Sequence, residues 1–156
     1  MESHEQHHEH HADTGWRTAI SATLHCLTGC AIGEVLGLVL ATWWGWSTVP
    51  SIALAVALAF FFGYLLTFSA ARRAGLDVGA AVRVALAADT VSIVVMEVID
   101  NGFMVAIPGA MDSGLGSFVF WGSLAAALAI AFVLTVPVNR WLILRGKGHA
   151  VVHAMH

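Results

Sequence analysis

From Val35 to Ala71 the chain carries no charged side chain, and from Gly102 to Asn139 it carries only Asp112. Each run exceeds the roughly 20 apolar residues that a helix needs to cross the hydrocarbon of a bilayer. Of the 156 residues, 58% are hydrophobic and 11% are charged, where a soluble domain carries about 25% charged residues. A chain this short has too little interior to hide so much apolar surface. The sequence therefore predicts an all-α, polytopic membrane helical bundle whose first partner is the lipid bilayer.

Turn signals divide the apolar sequence into four spans, at about Thr18–Trp43, Ser51–Ala71, Val84–Ile107 and Phe118–Leu144. Trp46-Ser47-Thr48-Val49-Pro50 reads as a short turn, with Pro50 suited to a helix start. Arg72–Asp77 is polar enough to leave the bilayer, and Asp77 is placed to cap the helix that follows. Whether Val78–Ala88 lies along the surface or enters the membrane stays open. Pro108–Gly114 is a turn-rich connection. Residues 1–17 form a tail in which His4, His7, His8, His10 and His11 alternate with acids; it is too polar to order itself and is expected to be disordered. Residues 145–156 form a second histidine-containing tail.

All seven basic residues fall before span one (Arg17), around the connection from span two to span three (Arg72, Arg73, Arg83), or at the C-terminal end (Arg140, Arg145, Lys147). Four spans put those regions on one side. The positive-inside bias then makes both termini cytoplasmic, in the inner (cytoplasmic) membrane. The polar N-terminus lacks the basic start and apolar segment of a cleavable signal. So few and scattered cations give no support for nucleic acid as a partner. No H-E-x-x-H, G-x-S-x-G or nucleotide-binding motif occurs, so no catalytic residue is assigned.

Glu34, Asp89, Glu97 and Asp100 enter the hydrocarbon without a basic side chain at mid-depth. Arg83 and Arg140 stand near the cytoplasmic ends, within range of Asp89 alone. An uncompensated acid there takes a proton or recruits a cation, and intramembrane acids mark ion or proton routes. The structural alternative is a set of protonated acids hydrogen-bonded to Thr28, Ser92 or Asn101. Spans one and three run in the same direction. At 1.5 Å per residue, Cys26 and Asp89 both lie about 8–9 Å into their spans, and Glu34 and Glu97 about 20–21 Å. Cys26 is thus expected level with Asp89, and Glu34 with Glu97. Four-residue spacing puts Met96 with Asp100 on one face and Glu97 with Asn101 on the adjoining one.

Cys26 and Cys30, one turn apart, can turn both sulfurs to a single ion; thiolate, imidazole and thioether are the ligands of Cu(I) or Zn. His25, Cys26, Cys30, Glu34, Met96, Glu97 and Asp100 form the candidate metal set, with Asp89 and Asn101 along an ion path. Met104 and Met111 stand toward its far end. His149, His153 and His156 are auxiliary collecting residues. Inert packing of two buried thiols and a thiol redox pair remain alternatives. Gly29, Gly33 and Gly37 form two G-x-x-x-G steps that admit a close neighbouring backbone, read here as the contact of a homo-oligomer.

The segments LHCLTGCAIGE (24–34), DTVSIVVMEVIDN (89–101), AIPGAMDSGL (106–115) and VPVNRWLILRGKGHAVVH (136–153) together resemble the bacterial membrane family catalogued as domain of unknown function 4396. The likeness spans about residues 18–153. It implies a small polytopic membrane protein whose characteristic polar positions map onto His25, Cys26, Cys30 and Glu34, then Met96, Glu97, Asp100 and Asn101. The functional expectation is a membrane protein that binds or transports copper or zinc. A membrane thiol oxidoreductase or redox partner and a proton or sodium pathway are the alternatives.

Overall fold

The computed structural model describes residues 3–145, with side chains from Gly15 onward. Four helices follow one another: α1 (Ser3–Trp43), α2 (Thr48–Arg73), α3 (Val78–Ala106) and α4 (Phe118–Leu144). No strand occurs among the described residues. All four helices are long and apolar enough to cross a membrane, α1 through its segment Gly15–Trp43. The chain is a multi-pass membrane protein by that measure. Leu24, Ile32, Phe61, Val98, Val133 and Leu134 stand exposed around the bundle, an apolar girdle that suits lipid rather than water.

Local chemistry sets the helix ends. Asp77 caps α3 as its sequence position predicts, its carboxylate accepting from the backbone N–H of Gly79 at 3.0 Å and of Ala80 at 3.4 Å. Ser117 caps α4 in the same way through the N–H of Val119. Gly75, at φ 94°, supplies the left-handed turn that ends α2. Val78–Ala88 form the first turns of α3, continuous with the rest of that helix. At the other end of the chain, α1 reaches back to Ser3, so the backbone is helical where composition predicts a disordered tail. Adding turns to a nucleated helix avoids the cost of starting one.

The helices close a ring in which α1 and α3 each pack against α2 and α4, and face each other across the diagonal. Consecutive helices run antiparallel, which makes α1 and α3 parallel. The tightest seam joins α1 to α2. A Cβ added at Gly29 would meet Gly63 Cα at 2.7 Å, one at Gly37 would meet Ala55 Cα at 2.5 Å, and one at Gly33 would run into the backbone of Ala59. The buried face of α2 answers with a small residue every fourth position: Ser51, Ala55, Ala59, Gly63, Thr67, Ala71. Such stripes let two backbones approach closely where lipid removes the hydrophobic drive.

This seam corrects the oligomer expectation. The Gly29/Gly33/Gly37 face is consumed inside the protomer by α2, because α2 carries the complementary stripe and is tethered by a four-residue turn. It is not available as a contact between copies.

Replacing Gly33 by Ala is expected to destabilise the bundle by about 1–3 kcal/mol or more, since the new methyl meets backbone that has no rotamer to yield. Gly102, a helical glycine with nothing near its Cβ position, is the control, and Ala there should be neutral or stabilise by about 0.5–1 kcal/mol. Thermal unfolding in detergent measures both.

Candidate functional site

The polar side chains inside the bundle fall into two layers separated by a layer without charge. The first lies toward the start of α1 and α3 and the ends of α2 and α4. There Asn139 donates to Thr23 Oγ1 at 2.8 Å, and Thr23 donates in turn to the carbonyl of Ala19. Asp89 meets the Thr67 side chain of α2, while its Oδ2 has no hydrogen-bond partner. Thr135, fully buried, also has its hydroxyl unpartnered. Arg140 does not pair with Asp89: its guanidinium stacks 4.3 Å from the Trp16 ring, and Arg83 is exposed.

The middle layer is built of sulfur-bearing and aliphatic side chains. Cys26 and Cys30 pack there with Ala59, Ile93, Met96 and Ala131. Both cysteines are free and buried, and their thiols are near enough to interact. The four-residue spacing thus does bring both sulfurs to one face. His25 is half-buried outside this cluster, with its Nε2 enclosed and unpartnered.

The second polar layer holds the other three acids. Cys30 reaches Glu97 across the diagonal, and Glu34 reaches Asp100. Asn101 holds Glu97 from one turn away, its Nδ2 donating to Oε2 at 3.1 Å and to the Glu97 carbonyl at 3.0 Å. Glu97 also lies within electrostatic range of Asp100 and Glu34. Asp100 is 1% exposed, and neither of its oxygens has a hydrogen-bond donor. Two carboxylates offer acceptors alone, so Glu34 and Asp100 can close on each other only through a shared proton or a cation. No basic side chain among the described residues figures in the interactions of these four acids.

The expected register is therefore off by about one helical turn. Cys26 is not level with Asp89, nor Glu34 with Glu97; Cys30 pairs with Glu97 and Glu34 with Asp100. Depth counted from assumed span ends could not see that α3 starts at Val78 and is held by Ile93 against Gly63. Asp89 consequently faces α2 rather than the cysteines, about 12 Å along the helix from Glu97.

Other assignments also shift. Among the described residues no three His, Cys, Asp or Glu side chains assemble into a group able to hold a metal ion. Met104 belongs to an apolar cluster with Leu38, Ala110 and Phe120, against which Met111 packs, so both fill space. Thr28 donates to the Leu24 carbonyl and not to an acid. His149, His153 and His156 lie outside the described residues. Thr67 and the Thr23–Asn139 pair were not singled out from sequence; the period-four stripe of α2 that carries Thr67 was the signal available for it.

The chain matches the family described as a domain of unknown function (DUF4396) over residues 15–148. No curated protein and no solved structure matches it.

Glu34→Gln gives Asp100 an amide donor where wild type has a carboxyl group. This variant is expected to melt within about 1 kcal/mol of wild type, since the amide hydrogen bond replaces the one a shared proton makes; a large loss would mean that a cation joins the two carboxylates. Thr23→Val strands the buried Asn139 amide and should cost about 1–3 kcal/mol, with much of that recovered on adding Asn139→Leu. Thermal melts of the four proteins decide both points.

Proposed function

We propose that this protein, which belongs to the DUF4396 family over most of its length, is a membrane proton pathway built on the Glu34/Glu97/Asp100 layer. The observation that carries the reading is Asp100, sealed from solvent and facing a second carboxyl group, Glu34, which can donate to it only through a proton held between them. Structural polar residues in a bilayer normally find partners, and unpaired acids held there mark ion or proton routes. Asp89 is a separate station nearer the basic ends of the bundle. Between the stations lies the sulfur layer around Ile93 and Met96, which an ion or proton must cross through a transient opening or a water file.

The distribution of Arg and Lys supports an inner-membrane setting with both termini cytoplasmic. In that orientation Asp89 serves the cytoplasmic side and Glu34/Asp100 the opposite one. A homo-oligomer fits the small size of the bundle, but its contact has to come from lipid-facing surface, since the glycine stripe is already used.

A second reading, a soft-metal site, is favoured by one observation: the interacting thiols of Cys26 and Cys30 share a buried cluster with the Met96 side chain. Two thiolates and a thioether suit Cu(I), which accepts fewer ligands than the larger groups typical of Zn. A thiol redox role lacks a comparable observation.

Reconstituted into liposomes, the protein should dissipate an imposed pH gradient, and Asp100→Asn and Glu97→Gln should reduce the rate at least tenfold. Cys26→Ser/Cys30→Ser should leave that rate within about twofold. Sodium-driven flux with no proton flux would replace the proton by a hard cation. If proton flux is absent, and anaerobic titration shows saturable Cu(I) binding lost only in the cysteine double variant, the metal reading takes over.

A further inference from the structure

We propose that the outer face between α2 and α3 is a binding site for an anionic phospholipid, with an acyl chain in an apolar groove and the phosphate at Arg72. The groove is a cavity of about 270 Å³, open on its outer side and lined by Phe61, Leu65 and Phe68 of α2 and by Val82 and Leu86 of α3. Its walls offer no polar group to a ligand. The one hydroxyl along it, on Tyr64, is turned to Thr90 Oγ1 at 2.8 Å, which leaves the ring alone as lining. A peptide or a polar metabolite would lose hydrogen bonds there without replacement; a hydrocarbon chain loses none.

The sequence of α2 joins this groove to a charge. Phe61, Leu65, Phe68 and Arg72 follow at intervals of four, three and four, so they form one stripe on the helix. Phe61 to Phe68 spans about 10 Å along the axis, and Arg72 stands about 6 Å beyond. That is the order of a lipid lying along a helix, with chain first and headgroup at the boundary. Arg72 donates one N–H to the Leu76 carbonyl at 2.6 Å, which ties the guanidinium to the turn between α2 and α3, about one helical turn beyond Phe68, and leaves other donors for phosphate oxygens. Arg73 and Arg83 stand exposed at the same end of the bundle. The acid between them in sequence, Asp77, is committed to the N-terminal N–H groups of α3. Charge complementarity thus selects a headgroup of net negative charge over a zwitterionic one. Along α3 the groove residues Val82 and Leu86 stand exposed and precede the nearest acid, the buried Asp89, by about one turn or more.

The test is native mass spectrometry of the full chain in detergent, titrated with phosphatidylglycerol or with phosphatidylcholine of identical acyl chains. One phosphatidylglycerol should be retained with about tenfold preference. Arg72→Gln should cut that preference about fivefold, the value of one arginine near an anionic headgroup. Arg145→Gln should not change it, although Arg145 is also exposed at that end of the bundle. Val82→Trp fills the groove and should release both lipids. Equal retention of the two lipids by the wild-type protein means ordinary surrounding lipid only and overturns the proposal. So does a preference that survives Arg72→Gln, or one that falls as far with Arg145→Gln.

Discussion

The contact between the backbones of α1 and α2 governs the rest of the bundle. In a bilayer, helices gain nothing by hiding apolar side chains from lipid, so close packing of small residues has to supply the association. Gly29, Gly33 and Gly37 on one helix and Gly63, Ala59 and Ala55 on the other leave no room for a methyl group. Packing that tight fixes the axial position of α1 relative to α2. Ile93, set against Gly63, carries the same register on to α3. The depth at which Glu34 meets Asp100 is therefore a consequence of glycines on the adjoining face of α1.

With register fixed, the interior sorts by chemistry. Hydroxyl and amide groups gather with Asp89 in one layer, sulfur and aliphatic groups fill the next, and three acids occupy the last. Each polar layer holds both satisfied and unsatisfied groups. Thr23 and Asn139 spend their hydrogen bonds on each other, as buried polar groups in a stable structure do. Asp100 has only another carboxyl group, Glu34, to turn to, and that group donates only when it holds a proton. A fold that tolerates such a group retains it at a cost in stability, which is the pattern expected where a site is kept for function.

The outside of the bundle obeys a different rule. Most of it is an undifferentiated apolar girdle. The α2–α3 face departs from this in having an apolar groove with Arg72 about one turn beyond its last residue on α2, the arrangement behind the proposed preference for anionic lipid. The interior acids and this exterior groove share α3 but differ in depth and exposure: Val82 and Leu86 are open on the outside, and Asp89, about one turn further on, is buried.

Much of this was legible in the residues. The uncharged runs fixed four helices, Asp77 announced the cap of α3, and four-residue spacing brought Cys26 to Cys30 and Asn101 to Glu97, because helix geometry alone decides which neighbours one turn apart can touch. Which helix meets which is not a local property. The glycine stripe showed that some backbone would come close to α1 but could not say whether it belonged to another copy or to α2. Counting residues from the membrane edge likewise missed by one turn the pairing of Glu34 with Asp100 and of Cys30 with Glu97. Axial register comes from side-chain interlock between helices, and that interlock exists only once the bundle has formed.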